Sequence, residues 1–207
     1  MRGFSNGKDG FAAVTHTGDR ASCAPRDASD PGLGVCRGRD LPPFEVDATA
    51  NYTITEDCPD GSTAETLVSV IGGHEEESES GVPTLDSDFL NVFILSFDCA
   101  GDLISDRGVG SADFASSPSL QEATVAGTIT TRGGRSVTVD MSWEGTGPIE
   151  ETKNITKFPG FIGHFKGKER DAVANGSVVV DGETLVDGST TNARLETLED
   201  TNIRLDP

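Results

Sequence analysis

Two carboxylates lie four residues apart in VTVDMSWEGTG, residues 137–147: Asp140 and Glu144. On a strand that spacing puts both on one face. Paired acids are what glycoside hydrolysis needs, one protonating the leaving oxygen and the other serving as base or nucleophile. His164, in FIGHFKGK, adds an imidazole that could act as general base toward an ester. No GxSxG elbow marks a nucleophile, and none of His16, His74 and His164 has a partner at HExxH or HxH spacing. A catalytic reading therefore rests on Glu144 meeting Asp140 or His164 in space. Trp143, the single tryptophan, shares its alternate positions with Val137, Val139 and Met141. That file predicts a core plug; a ligand-binding place at the sheet rim, opened by Gly145 and Gly147, is the alternative.

Metal ligation has weaker material. HEEESE (74–79) brings four carboxylates and an imidazole together, but no glycine aims them and no DxDxDG frame is present, so a solvated loop is expected. Asp57 and Asp60 beside Gly61, and Asp86 with Asp88, are fragments of calcium loops. Calcium at these aspartates is an option and not an expectation; no cofactor is called for.

Cys23, Cys36, Cys58 and Cys99 form no CxxC pair, which argues against zinc ribbons and thioredoxin-like chemistry. An even number at wide spacing fits two disulfides. Of three pairings, Cys23–Cys36 with Cys58–Cys99 is preferred, the first stapling a loop-rich arm and the second tying two strand ends; four buried thiols are the alternative. Sequons occur at Asn51, Asn154 and Asn175, a slight excess over chance that admits glycosylation.

The elements that must carry these residues are strands. Residues 1–43 lack periodicity and are rich in turn chemistry, so they read as an irregular arm preceding one domain over 44–207. FEVDATANYTIT (44–55) alternates apolar and polar throughout. TAETLVSVIGG (63–73) follows. FLNVFILSFDC (89–99), apolar at both parities, predicts a central strand buried on both faces. LISDRGVGSADF returns after a turn at AGD. SLQEATVAGTITT and RSVTVDMSW flank Gly133-Gly134, a pair suited to a type I′ hairpin. Beyond 149 the candidates are short: 149–157, 161–168, 172–180, 183–186, 193–198 and 201–205, with Asp181-Gly182 and Asp187-Gly188 as turns. ARLETLED could form a short helix instead. Roughly ten short strands separated by Gly/Asp turns imply an all-β fold, an antiparallel sandwich or barrel. The lack of a repeat at fixed period argues against a propeller.

Net charge restricts partners. The 207 residues carry a formal charge of -19, with 20 Asp and 15 Glu against 11 Arg and 5 Lys. Such a field repels nucleic acid and anionic lipid. An Asp-rich, Lys-poor mix suits a salt-adapted chain, and it equally suits an acidic secreted protein kept soluble by charge. No window is long and apolar enough for a membrane span. The opening MRGFSNGKDGF has no leader-like apolar core, so export, the expected extracellular or cell-surface location, calls for a leader outside this sequence. His164, Lys166, Lys168 and Arg170 form one locally basic spot, expected to pair with neighbouring acids.

Trp143-Glu144-Gly145-Thr146-Gly147-Pro148, then Pro159-Gly160-Phe161, then Arg170-Asp171-Ala172-Val173-Ala174-Asn175-Gly176 resembles a pattern of exported β-rich bacterial and archaeal proteins of no assigned function. The likeness spans the last two-thirds of the chain. It implies export and brings no activity or cofactor. The expected function is a non-enzymatic binding or surface protein, its ligand a surface polymer, a protein or a cation. A glycan or ester hydrolase and a structural subunit joined through edge strands are the alternatives. An exposed apolar patch would favour the first, convergent acids in a cleft the second, and a long free edge the third.

Overall fold

The computed structural model describes residues 44–79, 82–158 and 161–204. Residues 1–43, expected as an irregular arm, lie outside the described residues, and with them His16 and the expected Cys23–Cys36 pairing.

Ten antiparallel strands run through them: β1 (Phe44–Asp57), β2 (Thr63–Glu79), β3 (Val82–Phe97), β4 (Leu103–Ser111), β5 (Asp113–Ser116), β6 (Glu122–Thr130), β7 (Ser136–Gly145), β8 (Glu150–Phe158), β9 (Phe161–Val180) and β10 (Glu183–Arg204). All belong to one sheet in the order β4-β3-β2-β1-β10-β9-β7-β6-β5, with β8 joined to β9. The path closes on itself. β4 and β5 are separated by Ala112 alone, and both face β6 in one register: Gly108 bridges Thr131, and Asp113 pairs with Ala126, five residues on along each strand. A barrel of eight staves results, β4 and β5 acting as one bent stave. Eight is the strand number at which a barrel interior is just wide enough to be filled by side chains.

The filling follows period two. Ala48 and Ala50, Val68 and Val70, Leu90 and Val92, and Val137 through Trp143 at alternate positions all point inward and are buried. Large and small residues sit opposite one another. Trp143 pairs with Ala174 and Met141 with Gly176; Gly145, pressed by the Leu120 carbonyl and the Arg170 side chain, pairs with another small residue, Ala172. A Cβ on Gly176 would overlap the backbone of Asp140 and Met141. The Arg-x-Ala-x-Ala-x-Gly run is thus the small-residue counterpart of the Met-x-Trp-x-Gly run, a packing requirement of the barrel.

Trp143 is 2% exposed, and its indole Nε1 donates to the Thr49 carbonyl of β1 at 3.0 Å, across the interior. Leu120, in the loop before β6, is 1% exposed and reaches the core from a left-handed conformation (φ 51°). Arg170 holds that loop to the segment after β7, its Nε donating to the Gly147 carbonyl at 3.1 Å and its Nη1 to the Leu120 carbonyl at 3.5 Å.

One end of the barrel carries four tight turns. Three share a design: Cys58–Ser62, Asp98–Asp102 and Thr131–Arg135 each close with paired backbone bonds, and in each the last loop residue is a glycine of positive φ, Gly61, Gly101 and Gly134. A three-residue hairpin loop with glycine in the left-handed position does this. The expected Gly133-Gly134 hairpin is present, but only Gly134 has positive φ. Gly133 is small for another reason: a Cβ there would come within 2.9 Å of the Asp106 carboxylate. The fourth turn, Asp181-Gly182, has positive φ at both residues (50° and 88°), the type I′ signature.

Asp106 fastens the closure. Its buried carboxylate accepts from Thr131 Oγ1 (2.7 Å), Arg135 Nε (2.8 Å), Gly133 N (3.1 Å) and Arg107 N (2.8 Å). Burial alone would raise its pKa. The bonds from Thr131, Arg135, Gly133 and Arg107 outweigh that and hold it down at about 2.

The Cys58–Cys99 disulfide is present, with Cα atoms 5.6 Å apart, and ties the β1–β2 turn to the β3–β4 turn.

Several sequence expectations need correction. The run 74–79 is the end of β2, not a loop, because Glu75 and Glu76 pair with Glu45 and Phe44 on one side and Ser87 and Asp86 on the other. The fragments beyond 161 are two strands of 20 and 22 residues. Asp187-Gly188 is no turn; it pairs with Ser177 and Gly176 within the β9–β10 ladder. ARLETLED is strand, not helix, with Leu195 buried in the core. Finally, β3 is not buried on both faces.

Candidate functional site

β3 is apolar at both parities, and the barrel covers only one of them. Leu90, Val92 and Ile94 point inward. Phe89, Phe93, Leu95 and Phe97 point outward, and their neighbours across β2 and β4 extend the surface. Leu67 pairs with Leu95, Ile71 with Asn91, Val109 with Asn91, and Leu103 with Phe97. Phe93 and Phe97 are 40% and 41% exposed, and Leu103 and Val109 are 58% and 59% exposed. A shallow groove of about 230 Å³ runs through the band between Ser69, Ile71, Asn91, Phe93 and Arg107. Arg107 is steadied there, its Nε donating to Asn91 Oδ1 at 3.2 Å.

Carboxylates rim this band. Phe89 lies over Gly73, where a Cβ would overlap both the phenyl ring and the Asp47 carboxylate. Asp47 is therefore walled by an aromatic ring on one side. Its Oδ1 is buried without a hydrogen-bond partner. Glu45 stands on the same face of β1, Glu75 opposite it on β2, and Glu196 opposite Asp47 on β10. Desolvation first, then repulsion from Glu45 and Glu196, raises the Asp47 pKa to about 7. Glu45 is raised as well, by desolvation and by Glu75. Glu65 pairs with Phe97 at the other end.

The acids singled out in the sequence fall elsewhere. Glu144 points outward from β7 into an open groove of about 650 Å³ that also includes Gln121, Glu122, Thr124, Val173 and Asn175. Its cross-strand partner there is Glu122 of β6, a residue that sequence reasoning passed over. Only the hairpin register, Gly133-Gly134 at its tip, could have located it. Asp140 shares the outer face but pairs with Ala126 and Ser177, away from the groove. His164 pairs with Ile155 and Thr201 at the opposite end of β9, so Glu144 and His164 are not brought together. Trp143, which borders the groove, has its side chain buried in the core at 2% exposure.

The calcium-loop fragments have other occupations. Asp60 Oδ1 accepts from Ser62 N (2.9 Å) and Ser62 Oγ (2.6 Å), bonds that lower its pKa. Asp57 is exposed at the end of β1. Asp88 Oδ1 lies 2.8 Å from His74 Nδ1, and Asp86 Oδ1 lies 3.8 Å from His74 Nε2. Among the described residues, no group of three or more His, Cys, Asp or Glu is arranged to hold a metal ion. In the basic spot, Lys166 reaches Glu199 at 3.5 Å, and Arg170 serves the loop carbonyls. Asn154 and Asn175 are exposed, and half-buried Asn51 pairs with Ser69 beside the apolar band. No helix among the described residues is long and apolar enough to cross a membrane.

Compared with protein-family models, curated proteins and solved structures, the chain finds no match.

Proposed function

We propose that this chain is an exported, non-enzymatic binding domain that captures a protein partner on the outer face of β2, β3 and β4. One observation carries the reading: β3 is apolar on both faces and the barrel covers one. Scattered surface leucines and valines are normal, but a contiguous apolar band on a chain of such high charge is a contact surface. The closed barrel supplies a rigid platform, so binding requires little ordering of the face itself. The Cys58–Cys99 disulfide is compatible with an oxidising compartment, which supports the extracellular location.

An environment-sensitive apolar dye tests this. The native protein should enhance its fluorescence, and Phe93→Ser with Phe97→Ser should abolish the enhancement while leaving the melting temperature close to the parent's. Equal enhancement by the double variant would refute the assignment.

A hydrolytic reading has its own observation, the facing pair Glu122 and Glu144 in the larger groove. It expects turnover of a chromogenic ester or glycoside that Glu144→Gln abolishes.

A further inference from the structure

We infer that the partner received by this face is a cationic protein segment bearing bulky apolar side chains. The inference rests on the binding reading above and adds the chemistry of the partner. The band is apolar at its centre and acidic at both ends. Glu65 stands on the same face opposite Phe97, and Asp98 and Asp102 flank the adjoining β3–β4 turn. At the other end Phe89 abuts Asp47, and Glu45 and Glu75 follow. The cation within the groove, Arg107, is directed onto Asn91 rather than onto any of these acids.

Like charges placed directly opposite on neighbouring strands destabilise a sheet. Glu45 faces Glu75, and Asp47 faces Glu196. Arg194 already meets Glu196, its Nε 3.3 Å from Glu196 Oε2, so an arriving ammonium or guanidinium group would relieve the Glu45–Glu75 pair while apolar side chains covered Phe93 and Phe97. A second copy of this chain would bring acidic rim against acidic rim, and the charge of -19 works against that pairing. Nucleic acid and anionic lipid fail for the same reason.

The test is calorimetric titration of the intact protein with a short synthetic peptide alternating leucine and lysine. Two peptides of equal length serve as controls, one alternating leucine and glutamate, the other serine and lysine. The leucine–lysine peptide should bind at one per chain, and each control at least about tenfold more weakly. Phe93→Ser with Phe97→Ser should lose at least about tenfold, and Glu65→Gln with Glu75→Gln should weaken binding and flatten its salt dependence. Leu103→Ser and Val109→Ser, at more exposed positions, give the same answer if the phenylalanine variant does not fold. Equal binding of the leucine–glutamate peptide would overturn the cationic partner while leaving the apolar face standing. Undiminished binding by both apolar variants would overturn the face itself. A concentration-dependent dimer of the parent chain, lost in Phe93→Ser, would identify a second copy as the occupant and overturn the inference.

Discussion

Asp106 and Thr131 face each other across the line on which the barrel closes, Thr131 Oγ1 donating to Asp106 Oδ2 at 2.7 Å. Arg135 and two backbone amides join them on the same carboxylate. Without this contact the bent β4–β5 stave would hold β6 chiefly through the short β5 ladder.

Asp106→Ala should therefore cost about 2–4 kcal/mol, because it leaves several half-buried donors without an acceptor. The folded pKa is depressed to about 2. The charged group thus stabilises the fold above the usual carboxylate range, and that contribution is lost as pH falls toward 2. Urea denaturation of parent and variant across acid pH should show the two curves converging at the lowest values.

Asp47 acts in the opposite direction. Its folded pKa is raised to about 7, so the folded state holds a proton that the unfolded chain has released over the interval from about 4 to about 7. Stability contributed at this site falls as pH rises through that interval. Asp47→Asn should stabilise the protein at pH above 7, on the order of 1–2 kcal/mol after allowance for solvent screening, and should be near neutral below pH 4. Molar salt should narrow the difference. Thermal melts of both proteins at the two pH extremes check the sign.

Trp143→Phe removes the donor to the Thr49 carbonyl and part of the ring volume. It should cost about 1–3 kcal/mol. Emission of the parent should be blue-shifted and poorly quenched by iodide, as for an indole inside the barrel. Ala174→Leu, directly beside Trp143, should destabilise comparably by overfilling the interior.

Cys58 and Cys99 are separated by 41 positions in the chain. A cross-link over that span restricts the unfolded ensemble by about 4 kcal/mol. Reduction, or Cys58→Ser with Cys99→Ser, should lower the denaturation midpoint accordingly, without altering the strand signature in circular dichroism.

Much of this architecture was legible in the residues because it obeys period two. The Phe44–Ile54 alternation and the hairpin around Gly133-Gly134 lie where the pattern puts them, and the inward file of Val137, Val139, Met141 and Trp143 fills the core. Legibility failed where local composition and long-range pairing disagree. The pattern reads β9 as two pieces, 161–168 and 172–180, yet the strand runs unbroken through the residues between them. Gly176 is small because β7 presses against it, a fact of packing invisible along the chain. HEEESE read as loop because nothing local shows that β1 and β3 will flank it. Phe93 and Phe97 read as core because an apolar side chain does not announce whether anything will cover it. That last failure marks the candidate site. Apolar residues that the barrel itself does not cover are where we propose the partner docks.

Nuclear magnetic resonance of the uniformly ¹⁵N-labelled protein, titrated with the leucine–lysine peptide, locates the docking face residue by residue. Saturable amide shifts should be confined to β2, β3 and β4, strongest around Ser69, Phe93 and Arg107, with the β6–β7 groove at Glu122 and Glu144 unmoved. Shifts centred on that groove, or spread evenly over the acidic surface, would contradict docking on β2, β3 and β4.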